Sequence, residues 1–292
     1  MATQPHLDKP AFYALRRGGW RDLITLLHPP YTAWHLSYVA LGAAAAPVVH
    51  LDRLLAALAA FFLAVGVSAH ALDELHGRPL GSHISERALL TLALVGLVGA
   101  VGIGLAAFFL AVGISAHALD ELQGRPLGTH IPDRGLVTLA VVGLVGAAGI
   151  GVAGALTVSV TLLPFVAVGG FLVVAYNLEL FGGRFHSDQW FAAAWGAFPA
   201  LTGYWVNALS LDVAGVLVAA ACWALSVAQR RLSTPVRELR RRTIAVEGRQ
   251  RLTDGSVIEL SAPTLAAPLD GALRALSLAV PLLAAGALAI RL

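Results

Sequence analysis

The chain has little that ionises and almost nothing that oxidises. Its 292 residues include one cysteine, one methionine and 13% charged side chains, about half the charged share of an ordinary soluble domain. Cys222 has no internal disulfide partner and no Cys-x-x-Cys pair exists, so thiol chemistry has no footing. Cys222 lies in an apolar run and is expected to pack as a small hydrophobe. There is no Walker loop, dinucleotide fingerprint or Ser-His-Asp arrangement, which sets aside nucleotide and serine-hydrolase chemistry. A net charge of +3 is too small to suggest nucleic acid as a partner.

What the chain does have is apolar length. Hydrophobic residues make up 58% of it and its mean hydropathy is +0.76. The apolar stretches run to roughly 17 to 25 residues each, enough for a helix to cross a hydrocarbon core of about 30 Å. The expected fold is all-α, a polytopic transmembrane helical bundle. Nine spans are expected, near 33–50, 54–75, 87–103, 105–122, 135–153, 155–180, 190–207, 211–229 and 270–290. Residues 1–32 hold Lys9, Arg16, Arg17 and Arg21 without the apolar core of a signal peptide, and read as a retained interfacial segment carrying Phe12, Leu15, Trp20 and Leu23. With that N-terminal segment cytoplasmic, 18 of the 20 Lys and Arg residues fall on the cytoplasmic side and only Arg53 and Arg291 fall outside. The expectation is a multi-pass protein of a bacterial or archaeal cell membrane, in contact with membrane lipids.

Within the bundle region, 33–229, residues 58–104 match residues 105–151 at 38 of 47 positions without a gap, a close tandem duplication of a two-span unit. In each copy the first apolar run closes on the same polar cluster: Ser68-Ala-His-Ala-Leu-Asp-Glu-Leu-His-Gly-Arg-Pro-Leu-Gly81 and Ser115-Ala-His-Ala-Leu-Asp-Glu-Leu-Gln-Gly-Arg-Pro-Leu-Gly128. In a helix His70, Asp73 and Glu74 share one face, as do His117, Asp120 and Glu121. A third such end follows at Tyr176-Asn-Leu-Glu-Leu-Phe-Gly-Gly-Arg-Phe-His-Ser-Asp188. Ionisable groups in membrane bundles usually face the interior and mark a site. Carboxylates that hold Mg²⁺, with arginines clamping a phosphorylated ligand, would give the layout a purpose. The plain alternatives are carboxylates that mark the interface, or that pair with Arg78 or Arg125. The many span glycines read as close helix packing.

The segment 230–269 opens with Arg230, Arg231, Arg237, Arg240, Arg241 and Arg242, suited to anionic lipid heads. Inside it Thr243–Leu260 alternates like a small hairpin with Asp254-Gly255 as its turn. Residues 270–292 are the expected last span.

Taken in order, these motifs resemble the UbiA superfamily of intramembrane prenyltransferases over roughly residues 25–230. His28-Pro29 before the first span is similar to that family's Arg-Pro start of its first helix. His70-Ala-Leu-Asp73-Glu74 followed by Arg78-Pro79-Leu80 is similar to its first Asp-rich motif, Tyr176-Asn-Leu-Glu-Leu to the end of its fourth helix, and Gly196–Gly203 to its fifth. The resemblance implies Mg²⁺ on Asp73 and Glu74 or on Asp120 and Glu121. It implies an isoprenoid diphosphate held by Arg78, Arg125, Asn177 and Arg184, and His70 and Tyr176 as catalytic residues that orient a lipophilic acceptor or take its proton. The chain departs from the family at His70 and Gly77, which stand where aspartates are expected. It departs again over Ser226–Arg240, which holds no aspartate where a second Asp-rich motif belongs. Two further readings follow: a noncatalytic protein of the same fold that binds a polyprenyl lipid, or a membrane ion or metal site built from His70, Asp73, Glu74, His117, Asp120, Glu121 and His186.

Overall fold

The computed structural model describes residues 11–15, 21, 24–25, 27–62, 152, 155–177, 180–185 and 187–292. Over these residues the protein is mostly helical, with one small hairpin. Helices α1 (Pro29–Ala45), α2 (Leu51–Phe61) and α3 (Leu163–Asn177) are followed by α4 (Asp188–Ala192), a π-helical turn at Ala193–Ala197 and α5 (Phe198–Ala208). Then come α6 (Val213–Arg241), strands β1 (Arg249–Arg251) and β2 (Val257–Glu259), and α7 (Ala262–Arg291). Among the described residues two helices are long and apolar enough to cross a membrane: α6 over Val213–Arg240 and α7 over Ala262–Arg291.

Local chemistry sets the helix ends. α1 opens on Pro29 and Pro30, whose missing N–H groups cost nothing in a first turn, and it stops at Ala46, which precedes Pro47 and is extended. Asp212 caps α6 by accepting from the Ala214 and Gly215 amides at 2.8 and 3.1 Å. Ser261 and Thr264 cap α7 reciprocally.

α1, α5, α6 and α7 pack around Trp34, Tyr38, Ala200, Ala219, Cys222 and Val280, all buried. The free Cys222 is fully buried, as expected of a small hydrophobe. Small residues let the backbones meet. A Cβ on Gly42 would stand 1.9 Å from the Ala200 carbonyl oxygen, and one on Gly203 would stand 2.1 Å from that of Val39. On the outer faces Leu278, Leu282, Leu283 and Ile290 of α7 and Val213, Val216 and Leu217 of α6 are exposed.

The arginine-rich stretch is helical where a loop was expected. α6 continues to Arg241, past the expected span end at 229, and α7 starts at Ala262, eight residues before the expected 270. Leu232, Val236 and Leu239 recur at helical spacing, which lets the polar stretch keep an apolar stripe, and Val236 is buried. The connection between the two helices holds β1 paired antiparallel with β2, Arg249 opposite Glu259 and Arg251 opposite Val257. Gly255 supplies the positive φ of the turn, +85°.

Asp254 accepts from the Ser256 hydroxyl at 2.6 Å and the Ser256 amide at 2.8 Å, which holds its carboxyl below the usual carboxylate range. A lowered folded value means the turn gains stability above the ordinary carboxylate pKa of about 3.9 and loses it as pH falls through the folded value. The Ser256 amide resonance should therefore hold steady from neutral pH to about pH 4 and move only below it, given the ordinary value. Movement near pH 6 would contradict this, and Asp254→Ala should abolish the transition.

Candidate functional site

Of the residues singled out for chemistry, His70, Asp73, Glu74, Arg78, Asp120, Glu121 and Arg125 lie outside the described residues, as do His117, Glu179 and His186. Tyr176 and Asn177 are the last two residues of α3. Arg184 is exposed and stands just after Phe181, Gly182 and Gly183, three residues with left-handed φ of 57°, 70° and 76°. A left-handed phenylalanine costs of order 1–3 kcal/mol. Phe181 is also 72% exposed, with its ring 5.6 Å from that of Phe185, which packs 4.6 Å from Trp190. Arg184 thus stands between two aromatic residues whose rings are in contact, Phe181 and Phe185.

The same end of the bundle holds two ion pairs that pattern-reading missed. Asp188, in the first turn of α4, accepts from the Arg230 guanidinium at 2.8 Å, and that guanidinium lies 4.8 Å over the Phe191 ring. Both partners are part exposed, so the pair is worth little by itself and chiefly ties α4 to α6. Arg240 and Asp270 form a second pair at 2.5 Å, with side chains only 6% and 11% exposed, joining α6 to α7. The signal for it was Asp270, the one carboxylate within α7.

Deeper in, Trp34 donates its indole N–H to the Tyr38 hydroxyl, which also receives the Ser226 hydroxyl at 3.2 Å. His35 packs against Trp195 of the π-helical turn at 5.8 Å. That wide turn brings Gly196 against α6, where a Cβ would stand 2.6 Å from both the Cys222 carbonyl oxygen and Ser226 Oγ.

At the opposite end, the His50 amide donates to Asn207 Oδ1 at 2.7 Å and Arg53 donates to the Val206 carbonyl at 3.1 Å. Arg291 donates to the Ala46 and Pro47 carbonyls. Among the described residues no group of three or more His, Cys, Asp or Glu side chains gathers to hold a metal. No protein-family model, curated protein or solved structure matches the chain.

Proposed function

We propose that the chain is a multi-pass membrane protein of about nine spans, cytoplasmic at its N-terminal segment, that transfers an isoprenoid chain from an allylic diphosphate to a lipophilic acceptor. The observation that carries this reading is the duplicated His-Ala-Leu-Asp-Glu…Arg-Pro-Leu cluster at the ends of apolar runs, which resembles the first Asp-rich motif of the UbiA superfamily. Three placements support it. α1 begins at Pro29, α3 ends on Tyr176 and Asn177, and Arg184 is exposed just beyond. Arg53 and Arg291, the two arginines assigned to the outer side, both donate to backbone carbonyls at the end of the bundle remote from Arg230 and Arg240.

The donor set of Asp73 and Glu74, with Asp120 and Glu121, is all carboxylate oxygen, the kind a hard Mg²⁺ ion takes. Bound there, Mg²⁺ would neutralise diphosphate charge. Arg78, Arg125, Arg184 and Asn177 would hold the same anion, and a dry bundle interior would strengthen those contacts. His70 and Tyr176 would orient the acceptor and take its proton.

Purified protein with Mg²⁺, a radiolabelled allylic diphosphate and a panel of acceptors should show transfer. The double change Asp73→Asn with Asp120→Asn should cut it by about 100-fold, the size of losing a main electrostatic contact. No transfer at any chain length beside an active control enzyme would remove this reading. The second reading, a polyprenyl-lipid binder without turnover, is favoured by the lack of aspartate over Ser226–Arg240. Native mass spectrometry showing a retained polyprenyl species without transfer would select it.

A further inference from the structure

The hairpin between α6 and α7 is a sheet of only two strands, and every residue of β1 and β2 is exposed. A two-stranded hairpin is marginal by itself, and further strands sharing an apolar face are what make such a sheet stable. Its register shows which backbone groups are left over. The Leu252 amide donates to the Ser256 carbonyl at 2.9 Å and the Leu260 amide to that of Gly248 at 3.0 Å. Leu252–Ser256, Gln250–Ile258 and Gly248–Leu260 are therefore the hydrogen-bonded pairs of this antiparallel ladder. Arg249–Glu259 and Arg251–Val257 alternate with them, so their N–H and C=O groups point away from the hairpin. Those of Arg249 and Arg251 line the β1 edge, and those of Val257 and Glu259 line the β2 edge.

The two edges differ in what they could pair with. Joining β1 to β1 of a second copy about Gln250 would set Arg249 opposite Arg251, and like charges directly opposite repel. Joining β2 to β2 about Ile258 sets Ile258 against itself and Val257 opposite Glu259. Each Glu259 comes to that junction already paired with Arg249 of its own hairpin at 2.8 Å. Val257 is 49% and Ile258 41% exposed, and Leu252, Ile258 and Leu260 share one face of the hairpin. β2 holds no lysine or proline, the residues that commonly blunt a free edge. A lipid surface fits less well. Thr243–Leu260 sets Arg249 and Arg251 against Glu247, Asp254 and Glu259, a net charge of −1 that gives no attraction to anionic lipid heads.

We propose that two copies of the chain associate through β2, forming one antiparallel sheet in the order β1, β2, β2, β1 with a two-fold axis at Ile258. Val257 and Glu259 of one copy exchange N–H···O bonds with Glu259 and Val257 of the other. The two Ile258 residues form the closer, non-hydrogen-bonded pair, with α carbons about 4.5 Å apart. The same edge is used on both sides, so the contact closes at a dimer. The inference does not depend on the transferase reading.

Light scattering of the full chain in detergent, with the detergent contribution subtracted, should give twice the chain mass. Val257→Pro removes an N–H that points off the β2 edge and spares the hairpin's own bonds, so it should leave a folded monomer. Ile258→Cys should give a disulfide-linked dimer on mild oxidation, since about 4.5 Å between α carbons lies within disulfide range. Gln250→Cys, about 15 Å from its counterpart across the sheet, should not, and nor should wild type, whose Cys222 is fully buried. A single-chain mass at every concentration would overturn the proposal. So would a dimer that survives Val257→Pro, or Gln250→Cys cross-linking as readily as Ile258→Cys. If Val257→Pro does not fold, the comparison of the two cysteine variants decides.

Discussion

Gly42→Ala should lower the melting temperature of the purified protein by roughly 6–12 °C, taking about 3 kcal/mol for overpacking and a few degrees per kcal/mol in a chain of this size. The added methyl has nowhere to go. It would lie 1.9 Å from the Ala200 carbonyl oxygen and 2.9 Å from the Tyr204 amide nitrogen, both main-chain atoms held by the hydrogen bonds of α5. A flexible side chain would swing aside, but a helix backbone has to be pushed back bodily. That separation would also loosen Trp34 and Tyr38, which α1 carries into the same core. Gly203→Ala should behave alike, from the other side of the crossing. Gly286 on α7 has nothing within 4 Å of a built Cβ, so Gly286→Ala should be neutral or slightly stabilising through its better helix propensity. Equal melting temperatures for Gly42→Ala and Gly286→Ala would mean that α1 and α5 do not cross at these glycines.

Asp270→Ala should cost about 3–5 kcal/mol, because it leaves the Arg240 guanidinium buried without its countercharge. The pair itself contributes less than this figure suggests, since desolvating both charges offsets much of their attraction. The double change Arg240→Met with Asp270→Ala should therefore stand much closer to wild type than either single change. Denaturant unfolding of the four proteins, followed by intrinsic tryptophan fluorescence, closes the cycle. A single Asp270→Ala as stable as wild type would show that Arg240 escapes to water, and that α6 and α7 are not clamped at this level.

How much of this was legible beforehand varies by element, for identifiable reasons. The hairpin was readable because Asp254-Gly255 between alternating residues is a short-range signal, and Gly255 does take the positive φ the turn needs. Helical character was readable from unbroken apolar runs with proline and small residues at their ends. The ends of α6 and α7 were not, because hydropathy registers where a helix would leave lipid and not where it stops being a helix. Arg230–Arg241 is polar enough to end a span, yet its stripe of Leu232, Val236 and Leu239 keeps the helix going. Arg184 was singled out for its position after Tyr176, and its exposure fits a cation beyond a helix end. The duplicated cluster from His70 to Arg78 and its copy through Arg125 was equally conspicuous in sequence, and it lies outside the described residues.

The sequence by itself determined that the protein is helical, apolar and poor in charge, because composition and run length need no partner to be read. Only the tertiary structure decided which polar residues meet. Tyr38 finds Ser226 across 188 positions, and Arg240 finds Asp270 across 30. Pairings of that kind depend on how glycines such as Gly42 and Gly203 let the helices approach, a property of two surfaces in contact that neither segment carries alone.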